Sequence, residues 1–572
     1  MVKKTVAEWV VDTLAAAGVK NCFGIVGDTL NYVTDAIYSS KINWVHMRHE
    51  EAGAFAAGAE AYLTGELSAC AGSCGPGSLH FINGIFEAHR NRSPVVLIAS
   101  QIATGKIGTD FPQEVDFKSI YAQCSVFCQE ITAPEQAQHI TAMACQAALE
   151  KRGVAVIILS SDIAVQTVEG VADYPLHRQK TLIRPEDSQL EKIVALLAKG
   201  KKIGIFAGAG VQGAHGELLQ LAGKLQAPVA HTSRAKDFVE YDNPYNMGMT
   251  GLLGVKSGYD MIQNCDTLLL LGTDFAYSQF YSDKTVFIQI DEDPTHIGRR
   301  RPVQLGVVGD VKATLQALLP LLPQREDTEF LQECLEQRKK TVEALAKEEE
   351  KIGKDIIHPQ YLVGLLSKYA DDNAIFTADG GSAFAWGLRH FTTNGKRRTL
   401  MSMRHGTMAN AMPEALGAQK AFPGRQVISL SGDGGLAMMM GDMLTAVQEK
   451  LPIKIVVLDN ASLNFVELEQ KTEGLVNRYT DLQNPDFGKL AEVMGYKGWT
   501  VEKAEELEDI VPQFLAADGP ALLNVKTTPY ELVMPPHIEA HQVVGTALYG
   551  VKALAQGRFK DIKKLLIDNF VK

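Results

Sequence analysis

An apolar run at residues 427–430 leads into Ser431-Gly432-Asp433-Gly434-Gly435, and a Met-rich helical stretch follows at 436–448. Glycines there let the backbone approach a diphosphate, a helix N-terminus supplies N–H donors and positive dipole, and a carboxylate can hold Mg²⁺. A plain strand-to-helix turn uses the same residues. The next apolar run, 453–458, ends in Asp459-Asn460, and Asn460 stands twenty-seven positions after Asp433. Neighbouring strands of a parallel sheet end on one edge, so Asp433 and Asn460 can reach one cation. With the Ser462 carbonyl and two phosphate oxygens, Mg²⁺ then lacks only a water for octahedral coordination.

Two further segments carry candidate chemistry. The run 44–47 enters Arg48-His49-Glu50-Glu51 and an Ala-rich stretch at 52–62; acids at a helix N-terminus complement its dipole, which is the plain reading. The run 203–207 enters Gly208-Ala209-Gly210-Val211-Gln212-Gly213, a literal GxGxxG. A nicotinamide-binding unit places an acid after its second strand, whereas 228–233 here leads to Arg234.

The elements that must position these residues follow from periodicity. Short β-branched runs alternate with Ala- and Leu-rich stretches along the chain, which predicts α/β domains with doubly wound parallel sheets. Candidate strands are 21–26, 44–47, 95–99, 154–159, 203–207, 267–271, 286–290, 374–378, 427–431, 453–458 and 521–526. Similar strand openings at Ser93-Pro94 and Leu451-Pro452, and again at Gly153-Val154 and Gly519-Pro520, suggest two related domains flanking a third. The chain of 572 residues carries 56 basic and 67 acidic side chains, for a net charge of −11, and has no basic domain. That argues against nucleic acid as a partner. Eight cysteines are too few for a disulfide scaffold and read as packed thiols in a reducing cytosol. No apolar run reaches the roughly 18 residues of a membrane span. Lys3 and Lys4 resemble a signal n-region, but Glu8 and Asp12 fit an amphipathic helix ending at Gly18 instead.

The Gly-Asp-Gly to Asn spacing resembles the thiamine-diphosphate motif of the pyruvate oxidase and acetolactate synthase family, and the resemblance extends over essentially the whole chain. It implies a pyrimidine-binding domain at 1–182, an FAD-binding middle domain at 183–334, a diphosphate- and Mg²⁺-binding domain at 335–530, and a tail at 531–572. It implies that Glu50, in Arg-His-Glu, hydrogen-bonds N1′ of the aminopyrimidine and drives proton transfer from C2. Gly75-Pro76-Gly77, His80 and Asn83 resemble the loop beside the pyrimidine. Met408, after Gly406-Thr407, resembles the bulky wedge that bends the cofactor. Asp433, Gly434, Gly435 and Asn460 correspond to the diphosphate site, with Asp433, Asn460 and Ser462 as metal ligands.

Phe465 and Glu469 match the substrate-facing aromatic and acid, and the family's Phe-Gln-Glu segment appears here as Phe111-Pro112-Gln113-Glu114, which implies a catalytic role for Gln113. FAD is implied through Gly251, Leu252, Leu253 and Gly254, then Asp274, Phe275, Ala276, Tyr277 and Ser278, then Glu292, Asp293, Pro294, Thr295, His296 and Ile297. Four departures stand out: Asp459 for a usual Asn, Glu467 for a small or different polar residue, Asn464 for a frequent Gly, and Pro112 where an aromatic is expected near both cofactors.

The implied activity is oxidative decarboxylation of pyruvate to acetate and CO₂, with electrons passed through FAD to a membrane quinone; a carboligase of acetolactate synthase type is the alternative. The family places active sites between subunits, which implies at least a homodimer and points to a homotetramer. In the tail, Phe559, Ile562, Leu566 and Phe570 fall on one helical stripe beside Arg558, Lys560, Lys563, Lys564 and Lys572. That pattern fits reversible binding to anionic lipid, and hence a cytoplasmic protein peripherally associated with the inner face of the cell membrane.

Overall fold

The structure, a computed structural model, describes every residue except 1, 173, 176, 178–180, 351–355, 532, 534, 537–545, 551 and 554–572. The strands gather into three six-stranded parallel sheets. From edge to edge the first runs Asn43–His46, Asn21–Gly24, Ser68–Gly72, Val95–Gln101, Val154–Ser160 and Phe127–Ile131. The third runs Arg398–Met401, Ile375–Ala378, Val427–Gly432, Lys454–Asp459, Ala521–Lys526 and Lys497–Val501. Counted along the chain, both sheets have the order 2-1-3-4-6-5, as the repeated strand openings suggested. The middle sheet differs: Asn246–Met249, Val229–His231, Ile203–Ala207, Thr267–Leu271, Val286–Asp291 and Leu305–Val308 give 3-2-1-4-5-6. Its order reverses beside Ile203–Ala207, the position where open α/β sheets form a ligand crevice.

Fully buried strands such as Val95–Gln101 and Val154–Ser160 read as continuous apolar runs because helices cover both faces. Ser68–Gly72 escapes that pattern because its sequence is Ser-Ala-Cys-Ala-Gly, too small and unbranched to read as a strand, yet it is buried throughout. The helix Val6–Ala16 starts at a capping box between Thr5 and Glu8, and Gly18 turns the chain at φ 95°. The charged stretch forms the helix Glu329–Glu349, with Phe330, Leu331 and Cys334 as its buried anchors. The expected boundary at 334/335 falls inside this helix. The expected helix 436–448 is divided into Asp433–Met439, a 3₁₀ turn at Met440–Asp442 and Met443–Gln448.

First and third units meet through Glu50–Thr64, a helix rich in Ala and Gly, laid against Ala411–Ala421. The approach is backbone to backbone: a Cβ on Gly417 would lie 2.0 Å from Ala56 O. No helix among the described residues is long and apolar enough to cross a membrane. Seven of the eight cysteines are buried and all are free thiols. The apolar stripe Phe559, Ile562, Leu566 and Phe570 lies outside the described residues.

Candidate active site

The Asp433 carboxylate stands at the C-terminal edge of the third sheet. Its Oδ1 accepts from Gly434 N at 2.8 Å, and Oδ2 accepts from Ala461 N at 2.7 Å and Asn484 Nδ2 at 2.8 Å. Burial pushes its pKa up, and neighbouring Asp459 adds to the shift. A carboxylate oxygen has about two lone-pair directions, so Oδ1 keeps one for a cation while Oδ2 is filled. Asn460 Oδ1 likewise accepts one bond, from Ser462 N at 3.0 Å. The donor set therefore fits a Mg²⁺ whose remaining ligands come from phosphate oxygens and water. Among the described residues no group of three His, Cys, Asp or Glu could hold a metal unaided.

Neighbouring residues fix this edge. Asp459, the second carboxylate, is opposite Lys526 in the strand register and forms an ion pair with it, while Asn484 Nδ2 bridges Asp459 Oδ1 and Asp433. Its charge is thus matched by Lys526. Glu467, the other acidic departure, is buried, accepts from Ser462 Oγ at 2.7 Å and pairs with Lys471 Nζ at 2.6 Å. Glu469 is exposed on the same helix, Asn464–Thr472, and Phe465 is half-buried there. The left-handed residue of this loop is Ala461, at φ 54°, whereas Asn464 opens the helix and ties Ser382 to Pro529. Asn464 therefore serves as a tether, and the loop's positive φ lies three residues earlier, at Ala461.

Met408 precedes Ala409, another left-handed residue at φ 66°, and its Cε lies 3.6 Å from where a Gly434 Cβ would be. Gly435 has no room for a side chain: a Cβ would sit 2.3 Å from Asp379 Oδ2. Gly406 and Thr407 lie in the same turn, and Thr407 Oγ1 accepts from Asn83 Nδ2 at 3.0 Å. Asn83 also donates to Glu51 Oε1 at 2.7 Å and meets His405 Nε2 at 2.9 Å, joining first and third units. Beneath this junction lies a buried acidic group that the sequence did not single out. Glu87 accepts from Ser402 Oγ at 2.5 Å and from Asn91, and burial raises it to about 7. Burial holds Asp379 at about 7 and pushes Glu414 well up.

Glu50 is the first residue of its helix and 7% exposed. Its Oε2 lies 2.9 Å from His80 Nδ1, and the His49 and His80 rings stack at 4.8 Å. Gly75 adopts φ 60°, ψ −120°, and a Cβ there would meet Gln113 Cβ at 2.7 Å. Gln113 is itself left-handed at φ 70°, exposed, and accepts from Cys74 Sγ at 3.0 Å. Among the described residues no hydrogen bond or ion pair joins Glu50 to Met408, Asp433 or Asn460. Phe111, next to Pro112, is 38% exposed, with Lys106 Nζ 3.9 Å from its ring centre.

In the middle unit the GxGxxG turn donates inward: Gly208 N to Leu271 O and Gly210 N to Gly272 O, at 2.8 and 3.1 Å. Those amides are occupied by the adjacent strand end. Gly251, at φ 127°, opens the Gly251-Leu252-Leu253-Gly254 turn. Phe275 packs edge-on against Phe206 in the core, while Ala276, Tyr277 and Ser278 are exposed beside it. Asp274 is held by Arg299 and Arg300 at 2.9 and 3.0 Å. Asp293 caps the Pro294–His296 turn through Thr295 N, Ile297 follows it, and His296 bridges Asp291 and Arg92. Glu292 pairs with Arg152 at 2.9 Å.

Arg92, Arg234 and Arg404 converge between the three units, with Arg90 nearby. Burial and the charges of Arg234 and Arg92 lower Arg404 to about 10. Like charges brought together in this way fit an anionic group such as a diphosphate. Only Arg234 carried a signal in the sequence; the others are far apart along the chain and converge through the fold.

Comparison with known proteins agrees with this layout. Residues 4–120, 190–318 and 379–525 match, in turn, the models of the N-terminal TPP-binding, central and C-terminal TPP-binding domains of thiamine pyrophosphate enzymes. The chain is 34% identical to a putative thiamine pyrophosphate-containing protein of Bacillus subtilis over 96% of each chain. It is 30% identical to a pyruvate oxidase of Lactiplantibacillus plantarum, covering 91% of this chain and 88% of that one. It is also 30% identical to the acetolactate synthase isozyme 2 large subunit of Escherichia coli, covering 92% and 96%. With three consecutive domain models and full-length relatives in register with its three sheets, the chain belongs to the thiamine pyrophosphate enzyme family.

Proposed function

We propose that the protein oxidatively decarboxylates pyruvate to acetate and CO₂ with thiamine diphosphate, Mg²⁺ and FAD, and passes the electrons to a membrane quinone. The observation that carries the redox part is the convergence of Arg92, Arg234 and Arg404 near Asp274 and Asp291–Asp293, where the diphosphate of FAD would bind. Thiamine diphosphate supplies an electron-accepting thiazolium for the decarboxylation, and FAD accepts two electrons. The rest is the work of side chains. Asp433 and Asn460 hold the cation that anchors the diphosphate, and the Ser462 carbonyl joins them. Glu50 is oriented by His80 through Oε2, leaving Oε1 to exchange a proton with the aminopyrimidine N1′. Met408 would support the cofactor, with Gly75, Asn83 and Thr407 around it. Phe465, Glu469 and Gln113 would face the substrate.

A homotetramer attached to anionic lipid by residues 531–572 completes the proposal. The described start of the tail supports a regulated attachment: Tyr549 is 3% exposed, and Lys471 Nζ lies 5.5 Å from its ring centre, so tail and substrate helix touch.

One observation favours a carboligase of acetolactate synthase type. Pro112 replaces the aromatic expected near both cofactors and Phe111 packs under Lys106, which removes one route for electrons. The deciding experiment is the visible spectrum of the purified protein before and after anaerobic pyruvate, with product analysis. Flavin bands that bleach, with acetate formed and an artificial acceptor reduced, support the oxidation. Acetolactate as main product with no acceptor reduced favours the carboligase.

A further inference from the structure

A cavity of about 340 Å³ lies where the middle unit, the helix Glu329–Glu349 and the third unit meet. None of the candidate cofactor or substrate residues lines it. Its walls combine an apolar surface from Met249, Leu388 and Phe391 with the cations Lys236, Arg338 and Arg389. Two of these cations are engaged. Lys236 is 3% exposed and pairs with Glu240 at 2.5 Å. Arg389 donates to the carbonyls of Leu253 and Gly254 at 3.1 and 3.3 Å. Arg338 is half-buried and its charge faces Glu240, but among the described residues it donates no hydrogen bond to protein. The other cavity acid, Glu349, pairs with His390 Nδ1 at 2.8 Å. Glu348 also faces Arg389 and Glu240 faces Arg338, so the charges nearly balance, and what stands out is the planar Arg338 fork with its donors unbonded to protein among the described residues.

We propose that this cavity binds a small organic carboxylate with an apolar body, its carboxylate on the Arg338 guanidinium and its body against Met249, Leu388 and Phe391. The volume falls in the range of small-molecule sites, about 300–1,000 Å³, and an apolar lining with a few placed polar groups is their usual make-up. A guanidinium matches a carboxylate bidentately, and a half-buried guanidinium whose N–H groups donate to no protein acceptor favours an anion that accepts them. The bound molecule sits between the linking helix and Arg389, whose other contacts hold the end of the Gly251–Gly254 turn.

The test uses full-length protein and titrates benzoate, hexanoate and inorganic phosphate by calorimetry. Benzoate or hexanoate binds the wild-type chain, and Arg338→Gln weakens it by about tenfold or more, the loss of charge-assisted hydrogen bonds. Val342→Trp places a ring at the exposed mouth, where Val342 is 47% exposed, and blocks binding without lowering the melting midpoint. The proposal is overturned if neither organic acid binds, or if both variants bind as the wild type does. Phosphate binding alone overturns the assigned ligand class, because the apolar wall then contributes nothing.

Discussion

Replacing Gly417 by alanine tests whether the contact between first and third units sets the geometry of the site. The ideal Cβ would lie 2.0 Å from Ala56 O and 2.6 Å from Ala56 C, against the 3.4 Å at which ordinary contact begins, so the helices must separate by about 1.4 Å. Both clashing atoms are helix backbone and cannot rotate away. Alanine gains up to about 1 kcal/mol in helix propensity over glycine, but overpacking of a rigid contact costs about 1–3 kcal/mol, so the net effect is a modest loss of stability. The effect on catalysis is larger. Glu50 begins one helix, while Thr407 and Met408 lead into the other, so separating the helices displaces the groups each carries to an active site, and a 1 Å misplacement of reacting groups typically costs about 10²-fold. The expected result is a folded protein whose kcat falls by about 10²-fold, measured in steady state with an artificial acceptor and saturating cofactors. Gly424→Ala, where nothing lies within 4 Å of the added carbon, serves as control. An unchanged kcat in a folded Gly417→Ala enzyme would refute the reasoning.

Glu50→Gln keeps the cofactor but slows exchange of its C2 proton by about 10²–10⁴-fold, followed by NMR in deuterated buffer; exchange at the wild-type rate removes Glu50 from the mechanism. Asp433→Ala loses Mg²⁺-dependent cofactor retention in equilibrium dialysis, and full retention would show that the cation is held elsewhere. Glu87 links stability to pH: its folded pKa of about 7 lies above the ordinary 4.5, so its contribution is intact below about pH 4.5 and is lost as pH rises towards 7, by roughly 3 kcal/mol. Glu87→Gln should flatten that decline in urea midpoints taken at pH 5 and pH 8, whereas identical slopes would exclude it. Lys471→Met removes the cation between Glu467 and Tyr549 and should raise vesicle co-sedimentation of the oxidised enzyme; no change would separate the tail from this helix.

The sequence exposed what local chemistry dictates. The apolar strands, the capped first helix, the Gly-Asp-Gly turn and the distance from Asp433 to Asn460 depend on residues close together or on one sheet edge. It hid what the fold assembles. Ser68–Gly72 lacks the branched side chains that mark a strand, and edge strands such as Lys497–Val501 alternate too weakly to stand out. Asn484 is an ordinary loop amide until it is seen to bridge Asp433 and Asp459. The two acidic departures near the cation edge differ for the same reason: Asp459 needs Lys526 and Glu467 needs Lys471, and no local pattern announces the first of these pairs.

Two sheets of identical strand order in one polypeptide pose a problem during synthesis, because matching strands of the first and third units could pair wrongly while both are unfolded. Chain order reduces that hazard. The first sheet has all its strands by Ser160, and the short antiparallel ribbon between Val2–Thr5 and Thr167–Gly170 closes it before any strand of the third sheet is made. The middle sheet, with its different order, is then inserted as a spacer that emerges and folds in turn. Translation at about 5–20 residues per second leaves many seconds between the two related units. The danger should therefore be greatest on refolding from denaturant, when all three units are released together, and least on the ribosome.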